Sequence, residues 1–145
     1  MAMMDDNPIL VDACILVEAT NTRRAKHLVA QNWLTATPGL YLSSQTVREY
    51  LVVATRPVEL NGLGLSVVTG WANMDGFLEF IGFLPDDRPV LPVFRELARH
   101  HSISGKRLHD AWLVATAHVH KLKGLCTLNL VDFAAFSDEL KLVTL

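Results

Sequence analysis

The feature that most constrains the fold is an apolar run at residues 9–17, which a single carboxylate, Asp12, interrupts. Continuous apolar runs are typical of strands that are covered on both faces in a parallel sheet. Burying an ionised carboxylate without a partner is costly, so such a group is paired, neutralised or bound to a cation. We therefore predict a buried strand over residues 9–12, at whose end Asp12 has either a turn-forming or a functional role.

Short apolar segments alternate with amphipathic segments along the rest of the chain. The further predicted strands are residues 40–42, 80–84, 125–127 and 140–144. The predicted helices begin at residue 21 or 22 and end before 38, begin at 43 or 44 and end before 56, and cover residues 66–79, 88–100, 108–121 and 130–136. This alternation indicates a three-layer α/β fold with a mostly parallel central sheet of about five strands flanked by helices. In such sheets, ligands bind beyond the carboxyl ends of the strands, where the strand order reverses.

Length and charge limit the classes of protein that need to be considered. The 145 residues are enough for one domain, and we expect residues 1–145 to form a single unit. Half of the residues are hydrophobic and 19% are charged, an apolar composition that suggests an obligate partner or a dimer. The net charge of −2 provides no overall attraction to nucleic acid or to a membrane surface, so a polyanion has to bind a local patch.

The cysteines and the start of the chain indicate a cellular compartment. Cys14 and Cys126 lie in separate apolar segments and form no CxxC pair, which indicates reduced thiols. The first six residues carry acids where a signal peptide would carry positive charge. Apolar runs stay well short of the ~20 residues of a membrane span. We therefore expect a cytoplasmic protein that does not insert into membranes.

Four acidic residues stand out by their positions: Asp12, Glu49, Asp110 and Asp132. Each has an ordinary interpretation. Asp12 suits a turn at a strand end. Glu49 suits the solvated side of a helix, although the lack of a basic neighbour three or four residues away favours a non-local partner. Asp110 and Asp132 suit helix N-termini, where the macrodipole stabilises a carboxylate by ~1 kcal/mol.

Taken together, the four acids predict a cation site. Asp12, Asp110 and Asp132 follow or face strand ends on the same edge of the predicted sheet, and Glu49 lies close enough to reach that edge. Two carboxylates ~4 Å apart repel by about 4 kcal/mol at an effective dielectric constant of 20, so a cluster requires cations or protons. Oxygen ligands without Cys or His at metal-binding spacing favour Mg²⁺ or Mn²⁺ over zinc. Such a site is suited to in-line hydrolysis of a phosphodiester.

The acids also lie within four motifs. These are Asp12 after the first strand, Ser44-Gln-Thr-Val-Arg-Glu-Tyr50, Gly105-Lys-Arg-Leu-His-Asp-Ala-Trp-Leu-Val-Ala-Thr-Ala117 and Thr127-Leu-Asn-Leu-Val-Asp-Phe133. In this order they resemble the PIN-domain ribonucleases, and in particular the VapC-type toxins of prokaryotic toxin–antitoxin pairs. The resemblance covers essentially the whole chain. It implies a PIN-like fold, an acidic site for Mg²⁺ or Mn²⁺, hydrolysis of RNA, a homodimer, and an antitoxin that occupies the groove.

The resemblance also implies a role for particular residues. Asp12, Glu49 and Asp110 match the metal-ligating acids of the family. Asp132 matches a fourth acid that is usually more weakly engaged, and Asn129 matches the family's Asn three residues before it. The four acids are therefore expected to form the catalytic and metal-binding site, and Asn129 is a candidate for substrate binding.

Three polar residues just before Asp110 are candidates for substrate binding: Ser104, Lys106 and Arg107. Lys106 and Arg107 suit contacts to RNA phosphates, with an ordinary surface pair as the alternative. Ser104 either assists there or caps the following helix.

Three classes of function compete. The first is a metal-dependent ribonuclease, either a toxin or a non-toxin PIN-fold nuclease. The second is a phospho-receiver domain, which requires an acid pair after the first strand and a Lys after the fifth, and this sequence has neither. The third is a catalytically weak PIN-fold binding module. It stays open because Cys14 stands where the family usually has Asn or Ser, and a thiol forms weaker hydrogen bonds.

Overall fold

The structure is a computed structural model that describes residues 7–145. Its strands are β1 (Ile9–Val11), β2 (Leu40–Ser43), β3 (Gly82–Leu84), β4 (Gly124–Cys126) and β5 (Lys141–Val143). The α-helices in these residues are α1 (Ala13–Thr20), α2 (His27–Ala36), α3 (Ser44–Thr55), α4 (Val67–Leu78), α5 (Val90–His100), α6 (Arg107–Val119) and α7 (Leu130–Phe133). Short 3₁₀ turns cover Val58–Leu60 and Ala134–Phe136.

All of these strands are parallel, which confirms the predicted α/β fold with a parallel central sheet. Their order is β3-β2-β1-β4-β5, so the strand order reverses between β1 and β4. Val11, the last residue of β1, pairs with Cys126, the last residue of β4. The residues that follow these two strands therefore meet at the carboxyl edge of the sheet, where ligands bind in folds of this kind.

Helices cover both faces of the sheet and divide the core into two clusters. Ile9 and Val11 belong to one buried cluster, together with residues of α1, α2, α3 and α4. Leu10, between them, belongs to the other cluster, together with residues of α5, α6 and α7. Successive strand side chains point to opposite faces, so a strand covered on both sides is apolar throughout. This explains the sequence of β1 and confirms the predicted buried strand, which ends at Val11.

The apolar run does not continue as sheet after Asp12, because the next eight residues form α1, a helix that the sequence pattern did not reveal. Ile15 and Leu16 have no exposed surface, and α1 is buried nearly all round. A helix of this kind lacks the amphipathic periodicity that distinguishes a surface helix from a buried strand. Asp12 caps α1 by accepting a hydrogen bond from the Ala13 N–H.

The predicted helix start at Asn21 or Thr22 is wrong, because α2 begins at His27. Asn21 instead closes α1, where its N–H donates to the Val17 carbonyl. Its side-chain oxygen also accepts the Arg23 N–H at 3.0 Å. Asn side chains stabilise turns through such local bonds, and the chain therefore turns here before the next helix starts.

The remaining predicted elements agree with the structure within a few residues. Ser43 caps α3 by accepting the Thr46 N–H, as predicted, and the helix ends before Arg56. Ser66 caps α4 in the same way. The third strand is shorter than predicted, because it begins at Gly82.

The structure also bears on the expected cellular environment. Cys14 and Cys126 are both free thiols, as predicted. No helix within residues 7–145 is long and apolar enough to cross a membrane. Residues 1–6, which include Asp5 and Asp6 and which we expect not to form a signal peptide, lie outside the described residues.

The loop after α3 is tied to the last turn of that helix. The Leu63 N–H donates to the Val53 carbonyl at 2.9 Å. The Gly64 N–H donates to the Arg56 carbonyl, also at 2.9 Å. These bonds pair carbonyls near the C-terminus of the helix, where no intrahelical donor follows. Gly62 lies so close to the helix that an added Cβ would be 2.0 Å from the Arg56 carbonyl oxygen.

We expect Gly62→Ala to destabilise the protein by about 1–3 kcal/mol, because the loop has to move away from the helix. Gly76→Ala is the matched control, since a Cβ at this position in α4 meets nothing within 4 Å. It should stabilise the protein by about 0.5–1 kcal/mol, because Gly is unfavourable inside helices. Chemical denaturation of both variants checks this, and equal stability of the two would contradict the described contact.

Candidate active site

Asp12 follows β1 and is almost completely buried, with 6% of its surface exposed. Its Oδ1 accepts the Ala13 N–H at 2.8 Å, and its Oδ2 accepts the Thr127 hydroxyl at 2.7 Å. The Cys14 thiol donates a longer bond to Oδ2 at 3.5 Å. Burial raises the pKa of Asp12, and the three hydrogen bonds oppose this rise. The carboxylate is thus oriented by donors that follow both β1 and β4.

Thr127, which directly follows β4, is not among the predicted site residues. Its side chain is fully buried. Besides donating to Asp12, its hydroxyl accepts the Asn129 N–H at 3.0 Å. Because Val11 pairs with Cys126, the next residues along the two strands, Asp12 and Thr127, are neighbours. The signals in the sequence are that Thr127 opens the fourth motif and that its hydroxyl comes at the end of an apolar predicted strand.

Cys14 takes part in the same hydrogen-bond network despite its departure from the family pattern. Its sulfur accepts the Leu128 N–H at 3.4 Å and lies 3.7 Å from the Thr127 hydroxyl. Burial, with the charge of Asp12 as the second cause, raises the pKa of Cys14 to about 12. The thiol therefore stays protonated near neutral pH and remains able to donate to Asp12.

Glu49 lies half-buried on α3, where its Oε1 accepts a 2.8 Å hydrogen bond from Gln45 Nε2. The same nitrogen donates to the His109 carbonyl at 2.9 Å, which joins α3 to α6. We expected a non-local partner for Glu49, but Gln45 lies only one helical turn earlier. The expectation was wrong because it considered basic neighbours and not a neutral amide. Burial raises the pKa of Glu49, Gln45 opposes the rise, and the charge of Asp12 adds to it.

Asp110 lies in the first turn of α6, as predicted. Its pKa is raised to about 6, mainly by burial and then by the charges of Asp132, Asp12 and Glu49. The cation of Arg107 opposes this rise. Each of the other three acids therefore lies close enough to Asp110 to disfavour its ionisation. The charges of acids from distant parts of the sequence therefore act together on Asp110.

Asp12 and Glu49 line a groove of 720 Å³ at the carboxyl edge of the sheet. Asp110 and Asp132 are not part of its wall. The other polar lining residues that matter for the site are Arg24, Arg48, Arg56, Asn61, His109 and Asn129. The groove therefore brings acidic and basic side chains to one surface of a protein whose net charge is only −2.

Only one of the four candidate substrate-binding residues lines the groove. Asn129 lines it, whereas Ser104, Lys106 and Arg107 are exposed outside its wall. Lys106 occupies the N-cap position of α6 without a side-chain hydrogen bond, so Ser104 does not cap this helix. Arg107 Nη2 donates to the carbonyl of Asp132 at 3.4 Å, and Asp132 is exposed.

The acids have the ligand chemistry that a hard cation prefers, but they are not arranged as a preformed metal site. Within residues 7–145, no group of three or more His, Cys, Asp or Glu side chains is already arranged to hold a metal ion. All four acids nevertheless offer carboxylate oxygens, which Mg²⁺ and Mn²⁺ prefer. They also repel one another, as the raised pKa of Asp110 indicates, and a cation offsets such repulsion.

Comparison with known proteins places this arrangement in a family. A model of the PIN domain matches residues 9–137, a segment that contains all four acids. The chain belongs to the PIN-domain family. A search of curated protein sequences found no match.

Solved structures that are similar to this PIN domain include a toxin–antitoxin complex and a toxin. A toxin–antitoxin complex from Klebsiella pneumoniae has a TM-score of 0.67 and 23% identity, over 94% of this chain and 96% of that chain. FitAcB from Neisseria gonorrhoeae has a TM-score of 0.70 and 25% identity, over 92% and 95%. VapC20 from Mycobacterium tuberculosis, a sarcin–ricin loop cleaving toxin, has a TM-score of 0.67 and 16% identity, over 88% and 94%. These likenesses establish the PIN fold.

We expect Thr127→Val to destabilise this PIN domain by about 1–3 kcal/mol, because the Asn129 N–H loses its acceptor and Asp12 loses its shortest hydrogen bond. Thr127→Ser keeps the hydroxyl and should retain most of the stability. The free energies of unfolding of the two variants check this. A Val variant as stable as the Ser variant would show that the hydroxyl does not hold Asp12.

Proposed function

We propose that this PIN domain is a metal-dependent endoribonuclease that hydrolyses phosphodiester bonds of RNA, and that it is the toxin of a type II toxin–antitoxin pair. The observation that supports this most directly is that Asp12 and Glu49 line one groove at the carboxyl edge of the sheet, while the charges of Asp132, Asp12 and Glu49 raise the pKa of Asp110. Acids gathered at the carboxyl edge of a parallel sheet suit divalent cations and the phosphate that such cations attract. In this proposal residues 1–145 act as a single nuclease domain in the cytoplasm.

Asp12, Glu49 and Asp110 would hold Mg²⁺ or Mn²⁺, with Asp132 as a weaker fourth ligand. When bound, the cation supplies Lewis-acid chemistry that offsets negative charge on the phosphate and lowers the pKa of the attacking water. With a pKa of about 6, Asp110 is mostly ionised at neutral pH and therefore available as a ligand.

Other residues of the chain orient these ligands. Thr127 holds Asp12 through a 2.7 Å hydrogen bond, and Gln45 holds Glu49 through one of 2.8 Å. Because Gln45 also donates to the backbone of α6, it links the helix of Glu49 to the helix of Asp110. Partners of this kind typically change metal affinity or activity by about 10–100-fold when they are removed.

RNA is the proposed substrate because VapC20, to which this chain is similar, is a sarcin–ricin loop cleaving toxin. Asn129 would contact the RNA from the groove wall. Lys106, Arg107 and Ser104 would contact phosphates outside it, beside the first turn of α6. Lys106 and Arg107 would form a local positive patch. Such a patch is needed because the net charge of −2 does not attract polyanions to the protein as a whole.

The proposed partners are a cognate antitoxin and a second copy of the chain. A similar chain was solved as a toxin–antitoxin complex, which supports an antitoxin as a partner. In this proposal the antitoxin binds over the groove. The homodimer is supported by an apolar surface on α4, where Val67, Val68 and Trp71 are 66%, 80% and 48% exposed. Exposed apolar patches of this kind are typical of interaction sites.

Purified protein should cleave structured RNA in the presence of Mn²⁺ or Mg²⁺ and should lose this activity with a chelator. Asp110→Asn and Glu49→Gln should each lower the cleavage rate by at least about 100-fold, because a ligand matters more than the partners that orient it. Asp75→Asn, an exposed acid on α4 outside the groove, is the matched control and should cleave normally. Gel analysis of the RNA products measures these rates.

The fold of Asp110→Asn should be intact, with a metal-free melting temperature equal to or above that of the native chain, because a repelling charge is removed. Cleavage that persists in chelator or in Asp110→Asn would contradict the proposal. RNA binding without cleavage would indicate a binding module. Cleavage without growth arrest on expression of the chain alone would indicate a non-toxin nuclease.

A further inference from the structure

We propose that Arg56 forms an anion subsite in the groove and binds a phosphodiester of the RNA strand that flanks the one being cut. The subsite rests on the proposed function, because it uses the same groove and the same substrate. It adds a residue that the sequence motifs do not contain and that lies about two helical turns from Glu49, the nearest in sequence of the four site acids.

Arg56 is a partly buried cation whose donors are mostly unused. Its Nη2 donates to the Asn61 carbonyl at 3.0 Å. Its Nε is buried and has no hydrogen-bond partner among the described residues. A guanidinium carries five N–H donors, and a cation removed from water is costly unless an anion pairs with it. The side chain is therefore equipped for an anion that residues 7–145 do not supply.

The other two arginines of the groove differ from Arg56 in this respect. Arg24 lies 3.6 Å from the buried Glu18 carboxylate. Arg48 lies 4.0 Å from Asp86, in an exposed and therefore weak ion pair. Within the described part of the chain, Arg56 has no acidic partner. The unpaired positive charge of the groove is thus located at Arg56.

The position of Arg56, which directly follows the end of α3, indicates which phosphate it reaches. Arg56 follows Glu49 by seven residues, which is about two turns and ~10.5 Å along the helix axis. Both residues therefore lie on the same side of α3, and both line the groove. One phosphate group is too small to contact both sites, since the Asn61 carbonyl holds the guanidinium at its own end. A strand whose scissile phosphate lies at the acids consequently presents a flanking phosphate to Arg56.

The subsite is preorganised by the loop that follows α3. The N–H of Gly64 donates to the Arg56 carbonyl at 2.9 Å, and Gly62 allows the close approach that this bond requires. Asn61, which accepts from the guanidinium, belongs to the same loop. A fixed guanidinium pairs well with phosphate, because its planar fork matches two phosphate oxygens and little freedom is lost on binding.

The test measures kcat/KM for RNA cleavage in Mn²⁺ at several salt concentrations. Arg56→Gln should lower kcat/KM by about 10-fold, mainly through KM, as expected for the loss of charge-assisted hydrogen bonds. The slope of log(kcat/KM) against log[salt] should become shallower by about 0.7, the value for one phosphate contact on a single strand. Arg56→Lys should restore the slope but only part of the affinity, because Lys lacks the planar fork.

Arg95→Gln, an exposed arginine on α5 outside the groove, is the matched control and should leave kcat/KM and the slope unchanged. Melting temperatures of all variants show whether the fold is intact, and Arg56→Lys carries the test if the Gln variant does not fold.

If the native chain cleaves RNA and Arg56→Gln has the KM and slope of the control, the subsite is overturned while the nuclease proposal stands. If the native chain neither binds nor cleaves RNA, both are overturned. Loss of binding of a glutamate-rich peptide with unchanged RNA affinity would assign Arg56 to an acidic peptide and overturn the subsite.

Discussion

A buried carboxylate at the point where the strand order reverses determines much of this structure. Asp12 accepts hydrogen bonds from Ala13 and Thr127, and its own N–H donates to the Cys126 carbonyl at 3.0 Å. The same group of bonds therefore starts α1, joins β1 to β4 and orients the acid. A different register between the two strands would separate Asp12 from Thr127 and leave the carboxylate buried without its strongest donor.

The remaining acids are arranged around this fixed carboxylate at a cost in electrostatic energy. The raised pKa of Asp110 is the clearest sign, because three other carboxylates contribute to it. Proteins retain such repulsion mainly at functional sites, where a ligand relieves it. The charge of the groove then changes from the acid Glu49 on α3 to the unpaired cation Arg56, which follows the end of this helix. An RNA strand with a bound cation at one phosphate and a guanidinium at another would complement both parts.

The sequence predicted the parallel sheet because its signals are local: apolar runs and a Ser43 cap. The acids were found in the same way, as carboxylates in apolar surroundings, and their role stays a prediction. It did not reveal α1, because a helix buried on all sides has the same apolar pattern as a buried strand. The pairing of Asp12 with Thr127 depends on strand register, which a single sequence does not specify. Gln45 was not predicted as the partner of Glu49, because its contribution is an amide hydrogen bond rather than a charge. Contacts between distant segments thus account for most of what the sequence did not predict.

The central claim is that distant acids form one coupled site that accepts a divalent cation. Titration of the Asp110 carboxyl by ¹³C NMR, without metal and with Mg²⁺, tests it most directly. Without metal we predict a midpoint near 6, because burial and the charges of Asp132, Asp12 and Glu49 disfavour ionisation. With Mg²⁺ the midpoint should move to lower pH, since a bound cation favours the carboxylate. A midpoint near the ordinary aspartate value of 3.8 that does not respond to Mg²⁺ would contradict the account.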